Sequence, residues 1–267
     1  MVFMAMTSGS IGIIGGSGML GSAISSAILA SQVCQPANFW ISNRSGVAPE
    51  FARDSGIHVT ANNQELVDAC EVVILCVPPA LFAEIDLYAP DRLVISVMAG
   101  ATMKQLKTKT QATRVIRAMS SPAASLTLAY SPWVASLEVT QQDRNVVNTL
   151  FGSCGLTDEI FDEQQLDHFT AMTGPVPGFV AYFAKCMVDH ATSQGIAPAV
   201  ADRAVRQLFL ASGTMLATGK ATPAENVNAM LDYAGTTAAG LSAMKASPLS
   251  KAISDGLLAA AQKARSI

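Results

Sequence analysis

Ile11-Gly12-Ile13-Ile14-Gly15-Gly16-Ser17-Gly18-Met19-Leu20-Gly21 decides how this chain folds. The short apolar run at its start reads as a strand buried on both faces, and the stretch Ser22 to Ser31 that follows reads as a helix. Between them lies a GxGxxG. Gly16 is expected to make the tight turn, Gly18 to let main chain approach a pyrophosphate, and Gly21 to let helix and strand pack closely. The first turn of the helix offers free amides and a partial positive charge to phosphates. Gly16, Ser17, Gly18, Met19, Leu20 and Gly21 are therefore candidate cofactor-binding residues.

Working outward, Phe39 to Ile41, Val72 to Leu75, Leu93 to Val97 and Val115 to Ile116 are further short apolar runs alternating with helical stretches as far as about Phe161. Val77-Pro78-Pro79 and Ala99-Gly100 stop two of them before they reach helical length. That rhythm predicts βαβ units and a parallel sheet covered by helices on both faces. After Phe161 the chain becomes rich in Ala and Met, with helical lengths separated by Gly195, Pro198, Gly219, Pro223, Gly235 and Pro248. The expected fold is α/β: an N-terminal Rossmann-type parallel sheet that binds a dinucleotide over residues 1–161, then an all-α dimerisation domain over 162–267. Eight basic and eight acidic residues from Asp162 onward leave apolar helix faces that need a partner, so a homodimer or an assembly of dimers is expected.

The strand Phe39-Trp40-Ile41 ends in Ser42-Asn43-Arg44-Ser45. An NAD site usually carries an Asp or Glu here for the ribose hydroxyls, whereas a 2′-phosphate needs a cation and no acid. Arg44 supplies a permanently charged planar fork, with Asn43 and Ser45 as further donors. The pattern predicts NADP(H), with NAD(H) as a second coenzyme.

Composition excludes other classes. Half of the 267 residues are hydrophobic and 14% are charged, against about 25% charged in an ordinary soluble protein, so disorder is excluded. The net charge of −3 comes with no Lys/Arg cluster able to track a phosphate backbone, and no nucleic-acid partner is expected. Cys34, Cys70, Cys76, Cys154 and Cys186 form no CxxC, and His58, His168 and His190 show no ligand spacing, so neither a disulfide framework nor a metal is expected. Lys104, Lys107 and Lys109 read as a solvated helix face, and the methionines of the second half as packing. Met1 to Ser10 lacks the pattern of a secretory leader and no 18-residue apolar run appears, which predicts a cytoplasmic protein with no membrane partner.

The segments Ile11–Gly15, Val73–Pro79, Val94–Gly100 and Val115–Met119 resemble successive strand ends of pyrroline-5-carboxylate reductases. In the helical half, Thr170-Ala171-Met172-Thr173-Gly174-Pro175-Val176-Pro177 resembles that family's Ser-Gly-x-Gly-Pro helix start. Asp232-Tyr233-Ala234-Gly235-Thr236-Thr237-Ala238-Ala239-Gly240-Leu241 resembles its Pro-Gly-Gly-Thr-Thr segment. The resemblance implies a Rossmann domain joined to an interlocking helical domain, and NADPH-dependent reduction of the cyclic imine 1-pyrroline-5-carboxylate to L-proline. It places Gly235, Thr236 and Thr237 on the imino-acid substrate, with Thr236 and Thr237 as catalytic candidates and Thr237 near the imine nitrogen. Without the resemblance, Thr237 reads as a helix N-cap; with it, a dual role is expected. Cys76, Val77 and Pro78, with Met98, Ala99 and Gly100, would line the dinucleotide at their strand ends, although Cys76 alone reads as a small buried hydrophobe.

The chain departs from the family in five places, one of them an acidic residue expected shortly before Pro223 that appears as Lys220 or Ala221. Val77-Pro78-Pro79 replaces Val-Lys-Pro, Met119-Ser120-Ser121-Pro122 replaces Met-Pro-Asn-Thr-Pro, Tyr233-Ala234-Gly235 replaces Pro-Gly-Gly, and the glycine loop is one residue longer. Two alternatives stay open: an NADP-dependent oxidoreductase acting on another imine, a keto acid or a hydroxy acid, and a non-catalytic NADP-binding homologue.

Overall fold

Ile11 and Ile13 point to one face of β1 (Ile11–Ile14) and Gly12 and Ile14 to the other, and that alternation divides the core in two. The structure, a computed structural model, describes residues 9–51 and 56–266, so most of the Met1 to Ser10 stretch read for a leader lies outside the described residues. β1 is joined in one sheet by β2 (Phe39–Ser42), β3 (His58–Thr60), β4 (Val72–Leu75), β5 (Leu93–Ser96), β6 (Val115–Ala118), β7 (Ala129–Ala135) and β8 (Gly155–Glu159). The strand order is β3-β2-β1-β4-β5-β6-β7-β8, and every adjacent pair is parallel except β6 with β7.

One face is covered by α1 (Met19–Ala30) and α4 (Gln141–Cys154), whose Ile24, Ile28, Val147 and Phe151 pack with Ile11, Ile13, Ile74, Ile95 and Ile116. On the other face α2 (Asn63–Ala69) and α3 (Met103–Thr110) place Leu66, Val67 and Leu106 with Ile14, Val73, Leu75 and Val94. Gly12 is required beneath α2, since a Cβ there would stand 2.2 Å from Leu66 Cδ2. The predicted doubly covered parallel sheet is present.

Three strands were not anticipated. β3 is three residues long and buries only Thr60, β7 contains Pro132, and β8 is an edge strand without an apolar run. Each draws its pairing from a neighbour rather than from its own pattern.

Register positions the site. Ile14 lies opposite Ser42 and Leu75, and Leu75 opposite Ser96, so four strands end at one level. The loops that leave them start side by side, the place where open α/β sheets bind ligands.

By packing, the chain forms two compact units: residues through Pro175 together with Leu258 onward, and Val176–Leu257. The first unit continues past Phe161, where the sequence placed its division. Glu163 Oε1 accepts hydrogen bonds at 2.6 Å from the buried Arg117 of β6 and from the Met103 N–H of α3. Leu166 and Ala171 of α5 (Gln165–Thr173) are buried, and Arg265 bonds Asp167 at 3.1 Å. The second unit comprises α6 (Gly178–Ser193), α7 (Pro198–Thr218), α8 (Pro223–Asp232), α9 (Thr236–Ala246) and the first part of α10 (Leu249–Arg265). Phe183 and Phe209 meet edge to face, with ring centroids 6.1 Å apart. Among its described residues, only Ala201, Val205 and Ala238 are buried apolar side chains.

Candidate active site

The glycine loop leaves β1 through Gly15, which has φ +82° and a carbonyl of Cys76 only 2.5 Å from where a Cβ would stand. Gly15, rather than Gly16, thus makes the left-handed turn. Gly16 is needed for space, since its Cβ would lie 2.7 Å from Ile41 Cγ2. A Cβ on Gly21 would come within 2.3 Å of Gly15 O, which is the close helix–strand packing expected of it. Gly18 is the N-cap of α1, and no side chain caps that helix. The first-turn N–H groups at Met19, Leu20 and Gly21 are therefore left for an external acceptor.

Across the strand ends, the Ser42 carbonyl accepts from Gly15 N at 2.9 Å and Gly16 N at 3.3 Å, joining the glycine loop to the end of β2. Asn43 Nδ2 donates to Ser17 Oγ and to the Val47 carbonyl, each at 2.8 Å. Its Oδ1 accepts from Ser45 N at 3.1 Å, Gly46 N at 2.8 Å and Ser45 Oγ at 3.0 Å. Both amide hydrogens of Asn43 are thus in use within the protein, which removes the donor expected of it. Arg44 is exposed and forms no ion pair among the described residues.

A cavity of about 1120 Å³ opens over these loops. Of the expected cofactor residues, Ser17, Gly18, Met19, Asn43, Arg44, Ser45, Cys76, Val77 and Pro78 line it. Gly16, Leu20, Gly21, Ala99 and Gly100 do not; Gly21 is buried and Leu20 packs on the core, so these two contribute through main chain and packing. Ala99 and Gly100 sit half-buried after β5, where Gly100 has φ +76°. Burial pushes the Cys76 thiol up to about 12, so it stays protonated and inert at neutral pH, in keeping with a small hydrophobe.

The cavity also includes residues not anticipated, among them Ser22, Asn63 and Glu50. Asn63 Oδ1 accepts from Ser42 Oγ at 2.7 Å. The available signal was local: Asn62 caps α2 by accepting from Gln64 N and Glu65 N, which puts the next residue at the rim of the sheet. Glu50 follows Pro49 in a single 3₁₀ turn, and nothing in its own sequence context marks it.

In the second unit, Gly235 is the N-cap of α9 and no side chain caps the helix. Thr237 is therefore not the cap that its position suggested. Thr236 and Thr237 occupy the first helical positions, exposed, and neither hydroxyl has a hydrogen-bond partner among the described residues. The helix start again presents unsatisfied N–H groups, now with two hydroxyls beside them. No group of three His, Cys, Asp or Glu able to hold a metal occurs among the described residues, and no helix among them is long and apolar enough to cross a membrane.

Residues 163–267 match the pyrroline-5-carboxylate reductase dimerisation family, and residues 10–100 match the coenzyme F420-dependent NADP oxidoreductases. These matches, with the relatives below, support the pyrroline-5-carboxylate reductase family for this chain. It is similar to pyrroline-5-carboxylate reductase 3 of Danio rerio, 28% identical over 264 residues that cover 96% of this chain and 91% of the relative. Among solved structures it is similar to a 1-pyrroline-5-carboxylate reductase from Streptococcus pyogenes, with TM-score 0.82, 28% identity and coverage of 97% and 99%. It shares its fold with the Plasmodium falciparum pyrroline carboxylate reductase solved with NADP bound, at TM-score 0.80, 20% identity and coverage of 98% and 99%.

Three of the departures from the family pattern lie at strand ends, after β1, β4 and β6. Pro78 stands exposed at the cavity where the family pattern has a lysine. After β6, Ser131 Oγ donates to Ser120 Oγ at 2.9 Å and both are buried. The two serines thus satisfy each other within the sheet unit.

Proposed function

We infer that this chain reduces the cyclic imine of 1-pyrroline-5-carboxylate to L-proline with NADPH. The observation that carries this reading is the Arg44 guanidinium, without an ion-pair partner among the described residues, facing the same cavity as the uncapped start of α1. That pairing suits a dinucleotide with an additional phosphate: main-chain N–H groups of Met19, Leu20 and Gly21 take the pyrophosphate, and Arg44 takes the 2′-phosphate, the Ser45 N–H and hydroxyl being engaged with Asn43. NAD(H) lacks the group that Arg44 holds and serves as the weaker coenzyme. The bound nicotinamide supplies hydride to the imine carbon.

The chain's own part is binding and orientation. Gly235, Thr236 and Thr237 at the start of α9 take the substrate carboxylate on free N–H groups, and Thr237 Oγ1 accepts a hydrogen bond from the protonated imine nitrogen. Cys76, Val77 and Pro78, with Ala99 and Gly100, flank the coenzyme at the strand ends. Residues 162–267 form the dimerisation and substrate portion, and the exposed apolar side chains of α6 and α7 are covered in a homodimer or an assembly of dimers. A cytoplasmic location suits a chain whose five cysteines, the exposed Cys186 among them, are free thiols.

A steady-state assay with 1-pyrroline-5-carboxylate and each reduced nicotinamide tests the reading, with faster turnover expected for NADPH. Turnover confined to other imines, keto acids or hydroxy acids would reassign the substrate. Tight NADPH binding without oxidation of any of them would make the chain a non-catalytic homologue. Thr237→Ala should lower kcat/KM for the imine by about tenfold or more while NADPH affinity holds, because one transition-state contact is lost; unchanged turnover would reject Thr237 as a participant.

A further inference from the structure

Asn43 stands between the two parts of the cavity that meet different phosphates. On one side it touches Ser17 in the glycine loop; on the other it closes the turn that carries Arg44. Two backbone N–H donors, from Ser45 and Gly46, face the same side-chain atom, so that atom is the oxygen and the amide can sit only one way round. We propose that Asn43 is a positioning residue for coenzyme choice, acting through Arg44 and Ser17 rather than by touching a phosphate.

The two hydrogens of its amide go to Ser17 Oγ and Val47 O at 2.8 Å each. Its oxygen accepts from the turn, at 2.8 Å from Gly46 N and 3.1 Å from Ser45 N. A carboxamide donates two hydrogen bonds in all, so none is left for a ligand. What the amide sets is direction. The turn from Asn43 to Gly46, with Gly46 at φ +66°, fixes the backbone on both sides of Arg44, and so the line along which the guanidinium leaves the loop. Nδ2 meanwhile fills one acceptor position on Ser17 Oγ. The Ser17 hydroxyl hydrogen is left free to donate, and Ser17 lines the cavity together with Arg44. One side chain therefore sets the geometry of the guanidinium and the orientation of a glycine-loop donor together. Because only the phosphorylated coenzyme uses Arg44, loss of Asn43 falls more heavily on NADPH than on NADH.

This inference rests on the dinucleotide reading above, and the two are tested in one titration. Dissociation constants for NADPH and NADH are measured by calorimetry on the full chain, on Asn43→Ala, on Arg44→Ala and on the double variant. Asn43→Ala is expected to weaken NADPH about tenfold and NADH no more than about threefold, the size of effect a lost hydrogen bond to a charged-site support produces. In the Arg44→Ala background, adding Asn43→Ala should weaken NADPH no more than it weakens NADH, about threefold at most, because the route through Arg44 is already gone and only that through Ser17 remains. Asn43→Ser, whose hydroxyl can accept from the same turn amide, should recover part of the NADPH preference, and it carries the test if Asn43→Ala fails to fold. Equal weakening of both coenzymes, fully additive losses in the double variant, or an unchanged preference would overturn the positioning role. Failure of the unaltered chain to saturate with NADPH would overturn the dinucleotide reading itself, and this inference with it.

Discussion

Ile11, Ile13, Phe39 and Ile41 of the sheet unit are wholly buried, whereas Tyr182, Leu210 and Met215 of the helical unit stand 71%, 65% and 73% exposed. Both units are rich in apolar residues, yet they dispose of them in different ways. The sheet unit closes its own core from both faces, while the helical unit buries three small or medium side chains among its described residues and presents the rest. A helical layer of that kind draws its stability from a second apolar surface. The sheet unit accordingly supplies rigidity to the coenzyme loops, and the helical unit supplies assembly.

The largest expected effect breaks this contrast on its weaker side. Leu210→Asp places a charge on an apolar face proposed to be covered, and twofold symmetry counts the change twice. It should weaken assembly by about a hundredfold or more, read by sedimentation across a concentration series, and leave the sheet unit folded. A variant that assembles like the unaltered chain would mean that this part of α7 is not covered.

On the stronger side, Gly12→Val forces a branched side chain into a site where even a Cβ would be 2.2 Å from Leu66. Overpacking of that order costs about 1–3 kcal/mol or more and should lower the denaturation midpoint without altering oligomeric state. An unchanged midpoint would show that α2 moves freely on β1, contrary to a closed core.

Thiol reactivity sharpens the same comparison at smaller amplitude. Burial pushes the thiols of Cys34 and Cys154 up to about 11 and those of Cys70 and Cys76 up to about 12, whereas Cys186 lies exposed on α6. At pH 8 the four buried thiols should resist a disulfide reagent, and Cys186 should react faster once Leu210→Asp uncovers the helices. The folded state holds these protons more tightly than the unfolded chain, so the stability they contribute is complete below the ordinary thiol value of 9.0 and is lost as pH climbs toward 11–12. Rapid labelling of Cys76 in the folded chain would contradict the burial on which this rests.

Much of the sheet unit was legible because its strands are continuous apolar runs stopped by Gly and Pro. Ile11–Ile14 and Val72–Leu75 declare themselves without help from neighbours. β7 and β8 do not, since Pro132 and the polar Thr157-Asp158-Glu159 become strand through pairing with residues far along the chain. In the candidate site, the glycines and Arg44 could be read because each is demanded by a specific contact. The division of labour between Gly15 and Gly16 could not, because it depends on where Ile41 and the Cys76 carbonyl lie. Asn43 was legible as a polar residue beside the phosphates; four of its five side-chain hydrogen bonds are local to Ser45, Gly46 and Val47, but the fifth exists only once Ser17 is brought to it.

The most direct measurement is calorimetric titration of the full chain and of Arg44→Ala with NADPH and with NADH. The unaltered chain should saturate with NADPH more tightly than with NADH, and Arg44→Ala should weaken NADPH about tenfold to a hundredfold while changing NADH little, since a charge-assisted pair to the 2′-phosphate is lost. Absence of saturation with either coenzyme, or equal weakening of both by the substitution, would contradict the account.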